Sequence, residues 1–290
     1  MKLSLAFSPC PNDTFIFDAL VNKKIDTEGI EFNVVLEDVQ TLNQWAIDGR
    51  LGITKISYGV LPLVLDKYIV LNSGSALGKG VGPLLISPPR PLKGGPREEF
   101  FVDKSEVENS VVAIPGENTT AHLLFSLAYP NAKNKVFIRY DKIEEFVTEN
   151  KGGGVIIHEN RFTYEVRGVK KITDLGDFWE QETGSSIPLG GIVINRNIDI
   201  AIQRKIDSLI KKSIEFAFSR YPELNDYIRK HSQEMSETVI RKHIDLYVNN
   251  YSIDLGEEGK TAIEKLLSVY KHLNPAITFT ENIFLPQINL

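Results

Sequence analysis

One histidine in this chain stands where a proton acceptor is useful. His158 follows the apolar run Val155-Ile156-Ile157, which emerges from the glycines Gly152–Gly154. Glu159, Asn160, Arg161, Thr163 and Tyr164 come directly after it. Open α/β folds collect their ligands at the carboxyl ends of strands, and a neutral imidazole there accepts a proton near pH 7. A histidine merely hydrogen-bonded at a strand end fits the same pattern, so the residues alone leave both readings open. Glu159 could orient the ring. Neighbours on a strand face opposite ways, however, so a partner from elsewhere in the chain competes with it. His231, His243 and His272 fall in a polar helical region and are given no functional role; His231 and His272 sit near helix ends, where a histidine is a surface residue or dipole partner. His122 falls in the first turn of a helix, facing either ligand or solvent.

Two strand-to-helix turns carry the other candidate groups. In Ser8-Pro9-Cys10-Pro11-Asn12-Asp13-Thr14-Phe15 an apolar strand stops at two prolines, which fix the backbone and remove two amide donors. Asn12 and Asp13 read as capping residues of a helix over 13–21, whose free N–H groups attract anions. The stretch Pro115-Gly116-Glu117-Asn118-Thr119-Thr120-Ala121 repeats that plan, with two hydroxyls at a second helix start. Lys55-Ile56-Ser57-Tyr58 closes a third strand and offers a cation and a hydroxyl. The candidate substrate-binding residues are therefore Ser8, Asn12, Asp13, Lys55, Ser57, Thr119 and Thr120. The plainer alternatives are an ordinary strand–helix turn and simple strand-end polarity.

Several chemistries are excluded by spacing. Gly78-Lys79-Gly80-Val81-Gly82 lacks the strand-to-helix context of a dinucleotide site, and Pro83 closes it off. The Gly-x4-Gly-Lys-Ser/Thr spacing of a phosphate loop is missing at Pro115–Ala121. No His-Glu-x-x-His or acidic calcium loop appears, so no metal site is expected. No Gly-x-Ser-x-Gly is present. Cys10 is the only cysteine, which rules out an intramolecular disulfide; its position between prolines fits a small packing residue better than a reactive thiol. The net charge of −5 argues against a nucleic-acid partner. The apolar stretch at Leu3–Phe7 is too short for a signal peptide, and no segment reaches the length of a membrane span. A cytoplasmic protein is expected, and the oligomeric state is left open.

The elements that must position these groups alternate. Strands at 3–7, 30–36 and 53–58 are separated by helices at 13–21 and 39–47. A second run has strands at 110–114, 136–139 and 155–158, with helices at 120–128 and 141–148, and a last apolar strand covers 188–194. Alternation of this kind predicts parallel sheets with crossovers. Ser87–Pro96, with four prolines and two glycines, reads as an exposed loop. From Ile198 onward the pattern is helical: 198–221, 223–231, 236–247 and 256–273. With 290 residues, two domains are expected: lobe 1 from 1–87 and 190–290, lobe 2 from 88–189. The glycines at the two crossings suit a hinge. The layout is similar to an α/β, two-lobed periplasmic-binding-protein type II fold with a central cleft and a helical C-terminal tail.

Taken together, Ser8–Phe15, Lys55–Tyr58, Pro115–Ala121, Ile156–Tyr164 and Pro188–Gly191 resemble the 1,4-dihydroxy-6-naphthoate synthases of the futalosine route to menaquinone. The resemblance covers about the first two-thirds of the chain. It implies a periplasmic-binding-protein-like fold in the cytoplasm and a carbon–carbon lyase. The small-molecule substrate would be cyclic dehypoxanthine futalosine, cleaved to 1,4-dihydroxy-6-naphthoate with loss of the sugar-derived fragment, without redox cofactor or metal. It implies His158 as the general base and Ser57, Thr119 and Thr120 as ligand-lining residues. Asn160 stands where the family pattern has glycine, and the segment 87–109 is longer than usual. The competing readings are a non-catalytic solute-binding or sensing protein and a chorismate dehydratase, both of the same fold.

Overall fold

Leu5 and Phe7 point one way from the first strand and Ala6 the other, as a period of two requires, and both faces are covered. Leu5 and Phe7 join one large apolar cluster, while Ala6 packs with Leu42 and Leu51. The structure is a computed structural model and describes residues 1–88, 90–91, 98–99, 103–232 and 236–287. Most of the loop expected at 87–96 lies outside the described residues.

In chain order the structure opens with β1 (Lys2–Phe7), α1 (Pro11–Val21), β2 (Glu31–Leu36), α2 (Val39–Ile47) and β3 (Ile53–Ser57). A 3-10 turn (Tyr58–Leu63), β4 (Tyr68–Val70) and β5 (Ala76–Gly78) follow. Then come β6 (Leu84–Ser87), the short strands β7 (Arg90–Pro91) and β8 (Glu98–Glu99), α3 (Lys104–Asn109), β9 (Val112–Ile114) and α4 (Thr120–Ala128). Next are β10 (Lys135–Phe137), α5 (Ile143–Thr148), β11 (Gly153–Ile156), 3-10 turns at His158–Phe162 and Tyr164–Arg167, β12 (Lys170–Asp174), α6 (Leu175–Thr183) and β13 (Ile187–Asn195). The chain finishes with α7 (Ile200–Arg220), α8 (Asp226–His231), α9 (Glu237–Tyr247), α10 (Asn250–Ile253) and α11 (Gly256–Leu273).

The chain divides into two compact units, Met1–Gly78 with Pro188–Leu290, and Lys79–Ile187. The division falls after Gly78, earlier than the sequence places it. Residues 84–87 belong with the second unit because they form β6, which pairs with β11 and β12 there. In the first unit the sheet order is β2-β1-β3-β13-β4, with β5 also on β13; in the second it is β10-β9-β11-β6-β12.

Neither sheet is purely parallel. β1 runs parallel to β2 and β3, but β13 runs antiparallel to β3 and β4. In the second unit β9 is parallel to β10 and β11, while β6 is antiparallel to β11 and β12. Each sheet thus takes one central strand from a crossing between the units, and that strand enters from the opposite end.

The C-terminal helical stretch packs into the first unit. Ile206, Leu209, Ile210 and Ile214 of α7 are buried in the same cluster as Leu5, Phe7, Phe15, Ile16 and Phe17. Each such side chain contributes about 1.5–3 kcal/mol on burial, so this one face is worth a large share of a domain's net stability. Ser213 ties α7 to α1, donating to the Ile16 carbonyl at 2.6 Å and accepting from Leu20 N at 3.2 Å. The second unit has its own core around Leu84, Ile86, Ala113, Ile143, Val147 and Ile156. Among the described residues no helix is long and apolar enough to cross a membrane.

Candidate functional site

The first turn is built differently from its sequence expectation. Helix α1 begins at Pro11, with Cys10 as its N-cap residue. The Cys10 carbonyl accepts from Thr14 N at 3.0 Å and from the Thr14 hydroxyl at 2.9 Å. Asn12 and Asp13 are therefore first-turn residues and not caps. The missed signal is Pro11, since proline is favoured at the first helical position, where its absent N–H costs nothing. From there Asp13 reaches back, and its Oδ2 accepts the Ser8 N–H at 3.2 Å.

Asp13 is the hub of the first unit's polar residues. Its Oδ1 accepts from Asn12 Nδ2 at 2.9 Å and from Lys55 Nζ at 2.7 Å. The Lys55–Asp13 pair is almost fully buried, its side chains 6% and 2% exposed. Lys55 Nζ also lies 3.4 Å from the Gly74 carbonyl. Ser8, Asn12, Asp13 and Lys55, named from separate motifs, thus form one buried hydrogen-bonded group. Ser57 sits at the end of β3, and its N–H donates to Asn43 Oδ1 at 2.9 Å. Buried charges persist when paired and hydrogen-bonded, and here three donors meet one carboxylate.

His243 joins this group although the sequence reading gives it no functional role. It is fully buried, and its Nε2 lies 2.9 Å from Asn12 Oδ1. The signal was present in α9: Ile240, His243, Ile244 and Tyr247 form its buried stripe, the i, i+3, i+4, i+7 spacing of a core-facing helix. His231 ends α8 with its ring 4.7 Å from Tyr227, and His272 lies in the last turn of α11, exposed.

The Pro188–Gly191 motif is explained by Tyr58. The Tyr58 hydroxyl shares a 2.6 Å hydrogen bond with Ser75, and a Cβ on Gly191 would stand 2.2 Å from it. A Cβ on Gly190 would meet the Ile56 carbonyl at 2.5 Å. We expect Gly191→Ala to destabilise the chain by about 1–3 kcal/mol through overpacking. This would be read as a lowered urea midpoint at unchanged slope, and a midpoint equal to the parent's would contradict this packing.

In the second unit, β11 ends at Ile156 and the backbone stays extended through Ile157. His158 then takes φ +56° and opens a 3-10 turn. That left-handed conformation is uncommon outside glycine, and such residues gather at functional sites. It costs about 1–3 kcal/mol and persists only where neighbours enforce it. Arg161 anchors the same turn: its guanidinium donates to the carbonyls of Gly80, at 2.9 Å, and Gly82, and to Asp174 Oδ2 at 2.7 Å. Asp174 is itself fixed as the cap of α6 through Oδ1. On the other side the Tyr140 ring meets the His158 ring edge to face, 5.0 Å between centroids. Glu159 is buried beside it.

Thr119 caps α4, its hydroxyl accepting from His122 N at 3.2 Å and donating to the Gly116 carbonyl at 2.8 Å. Its proton is committed, so an anion beside Thr119 would be met by backbone N–H groups and not by this hydroxyl. Thr120 is buried as the first helical residue. His122 settles between ligand-facing and solvent-facing: Nδ1 lies 2.7 Å from the Glu117 carbonyl and Nε2 3.3 Å from Lys135 Nζ. With Nδ1–H given to a carbonyl, Nε2 is the acceptor. Burial, and then the nearby Lys135 charge, pull the His122 pKa down, while the Glu117 carbonyl opposes them.

The arrangement holds a buried ammonium and backbone donors in one unit. The other has an imidazole on a strained turn and a capped helix start. The menaquinone biosynthesis family model matches residues 3–272 of the chain. A 1,4-dihydroxy-6-naphthoate synthase of Thermus thermophilus is 43% identical over 267 residues, covering 92% of this chain and 93% of that protein. The Streptomyces coelicolor enzyme of the same name is 36% identical, with 92% of each chain covered. A crystal structure from Archaeoglobus fulgidus superposes with a TM-score of 0.85 at 29% identity, covering 94% of this chain and 98% of that one. A Candida albicans protein with the generic periplasmic binding protein fold gives 0.67 at 12% identity, covering 100% and 98%. On this match in sequence and fold, the chain belongs to the menaquinone biosynthesis family, among the 1,4-dihydroxy-6-naphthoate synthases, which are lyases with a periplasmic-binding-protein-like fold.

Proposed function

We propose that this chain cleaves cyclic dehypoxanthine futalosine to 1,4-dihydroxy-6-naphthoate in the cytoplasm, with His158 as the general base. The expected interlobe cleft belongs to this proposal as the place of reaction. Breaking the bond between the sugar-derived fragment and the ring requires removal of a proton and stabilisation of the oxyanion or enolate that develops. Aromatisation of the second ring drives the step. A neutral imidazole serves the first need, and fixed backbone N–H groups serve the second.

The observation that carries this reading is His158 itself. A histidine lies in left-handed backbone on a turn that the Arg161 clamp anchors, in a chain 43% identical to a synthase of that name. The aromatic carboxylate of the substrate suits the start of α4 at Thr119 and Thr120, where N–H groups and the helix dipole favour an anion. Ser8, Asn12, Asp13, Lys55 and Ser57 are the other substrate-binding residues of the proposal. Two of the three ammonium donors of Lys55 are used within the protein, which leaves the third for a ligand.

The test is incubation of the purified chain with cyclic dehypoxanthine futalosine, following the naphthoate by absorbance and mass. Product at a rate comparable to that of the Thermus enzyme is expected. No product under conditions where that enzyme works would overturn the proposal in favour of a binding or sensing protein.

A further inference from the structure

We infer that His243 is a positioning residue for the substrate site, acting through Asn12 on the Asp13–Lys55 pair. The inference rests on the proposed substrate role of those residues. An Asn side chain has two chemically opposite ends, and its orientation follows from its partners. Asn12 gives its NH2 to Asp13 Oδ1 at 2.9 Å, so the atom 2.9 Å from His243 Nε2 is its carbonyl oxygen. His243 Nε2 therefore carries a hydrogen and donates. A directional line results: His243 to Asn12, Asn12 to Asp13, with Lys55 and the Ser8 N–H converging on the same carboxylate.

What His243 supplies is the donor that the buried Asn12 carbonyl oxygen needs. Without it that oxygen is left unsatisfied, a costly state, and the Asn12 side chain must move to find another donor. Its hydrogen bond to Asp13 moves with it, and with Asp13 the Lys55 ammonium, 2.7 Å away. Asn12, Asp13 and His243 are all nearly or fully buried, so solvent offers little relief. A histidine that only fills core space would have no bearing on where Lys55 sits.

The experiment compares His243→Leu with His243→Gln in the full chain. Leucine keeps apolar volume and removes the donor, whereas glutamine can place an N–H near the position of Nε2. For His243→Leu we expect KM for cyclic dehypoxanthine futalosine to rise about tenfold while kcat moves much less. For His243→Gln, KM should return close to the parent value. Loss of kcat at unchanged KM in both variants is the mark of a purely structural residue and overturns the inference, as does parent-like behaviour of His243→Leu. The imidazole nitrogen spectrum of the parent gives a second readout that needs no turnover. A protonated Nε2 is expected, and an unprotonated Nε2 reverses the assigned direction and overturns the inference. If the parent makes no naphthoate, the proposed function fails while this spectrum still decides the His243 assignment.

Discussion

His158→Asn lowers kcat by about 100- to 10,000-fold, the usual loss on removing a general base, while the folded chain and its ligand affinity persist. Asparagine is the informative replacement because of the backbone. Position 158 sits at φ +56°, and asparagine shares with histidine an enrichment in the left-handed region. A β-branched residue would confound loss of the imidazole with backbone strain. His158→Gly completes the test, since it removes base and strain together; it should match His158→Asn in activity and be no less stable. The measurement is single-turnover naphthoate formation beside substrate binding by calorimetry. Near-normal turnover of His158→Asn would remove His158 from the role of base.

Asp13→Asn has the largest expected effect on stability. The substitution leaves the Lys55 ammonium buried without its carboxylate and turns an NH2 toward groups that are already donors, either the Ser8 N–H or the pair Asn12 Nδ2 and Lys55 Nζ, according to which oxygen it replaces. Removing one partner of a buried ion pair costs about 3–5 kcal/mol, against a total of about 5–15 kcal/mol for a typical domain. The pair is 6% and 2% exposed, so solvent screening does not soften the loss. Adding Lys55→Met to Asp13→Asn should recover a substantial part, because the stranded charge is then gone. Urea unfolding of the parent, both singles and the double mutant measures the coupling. Additive losses in the double mutant would mean that the 2.7 Å contact contributes little.

How much of this was legible in the sequence depended on the kind of signal. Strand and helix positions followed from periodicity, and the placement of Thr119 at the start of α4 followed from its type and neighbours. Strand direction did not, because a period of two reads the same both ways. β13 therefore reads as a further member of a parallel sheet, although it runs antiparallel to β3 and β4. The grouping of Ser8, Asn12, Asp13 and Lys55 was half legible: each was named, but their shared carboxylate joins residues 42 apart in sequence. His243 was missed because the surrounding residues of α9 are polar, which hid the stripe that it shares with Ile240, Ile244 and Tyr247. The left-handed backbone of His158 was only weakly signalled by residue type, since histidine is enriched in that region but rarely adopts it, and the Arg161 contacts that anchor the turn reach Gly80, Gly82 and Asp174, far apart in sequence.

The position of β13 bears on how the chain is made. β13 lies between β3 and β4 in the first sheet, yet it is the last of the named strands to be synthesised. A growing polypeptide that has reached Ile187 already contains every residue of the second unit. Its first sheet is then split, with β3 and β4 lacking the strand that joins them and β1 lacking the cover of α7. Because domains fold as units during synthesis, the inserted unit is expected to mature on the ribosome before the unit that hosts it. Leu5, Phe7 and Phe15 wait with open apolar surface until more than two-thirds of the chain has emerged.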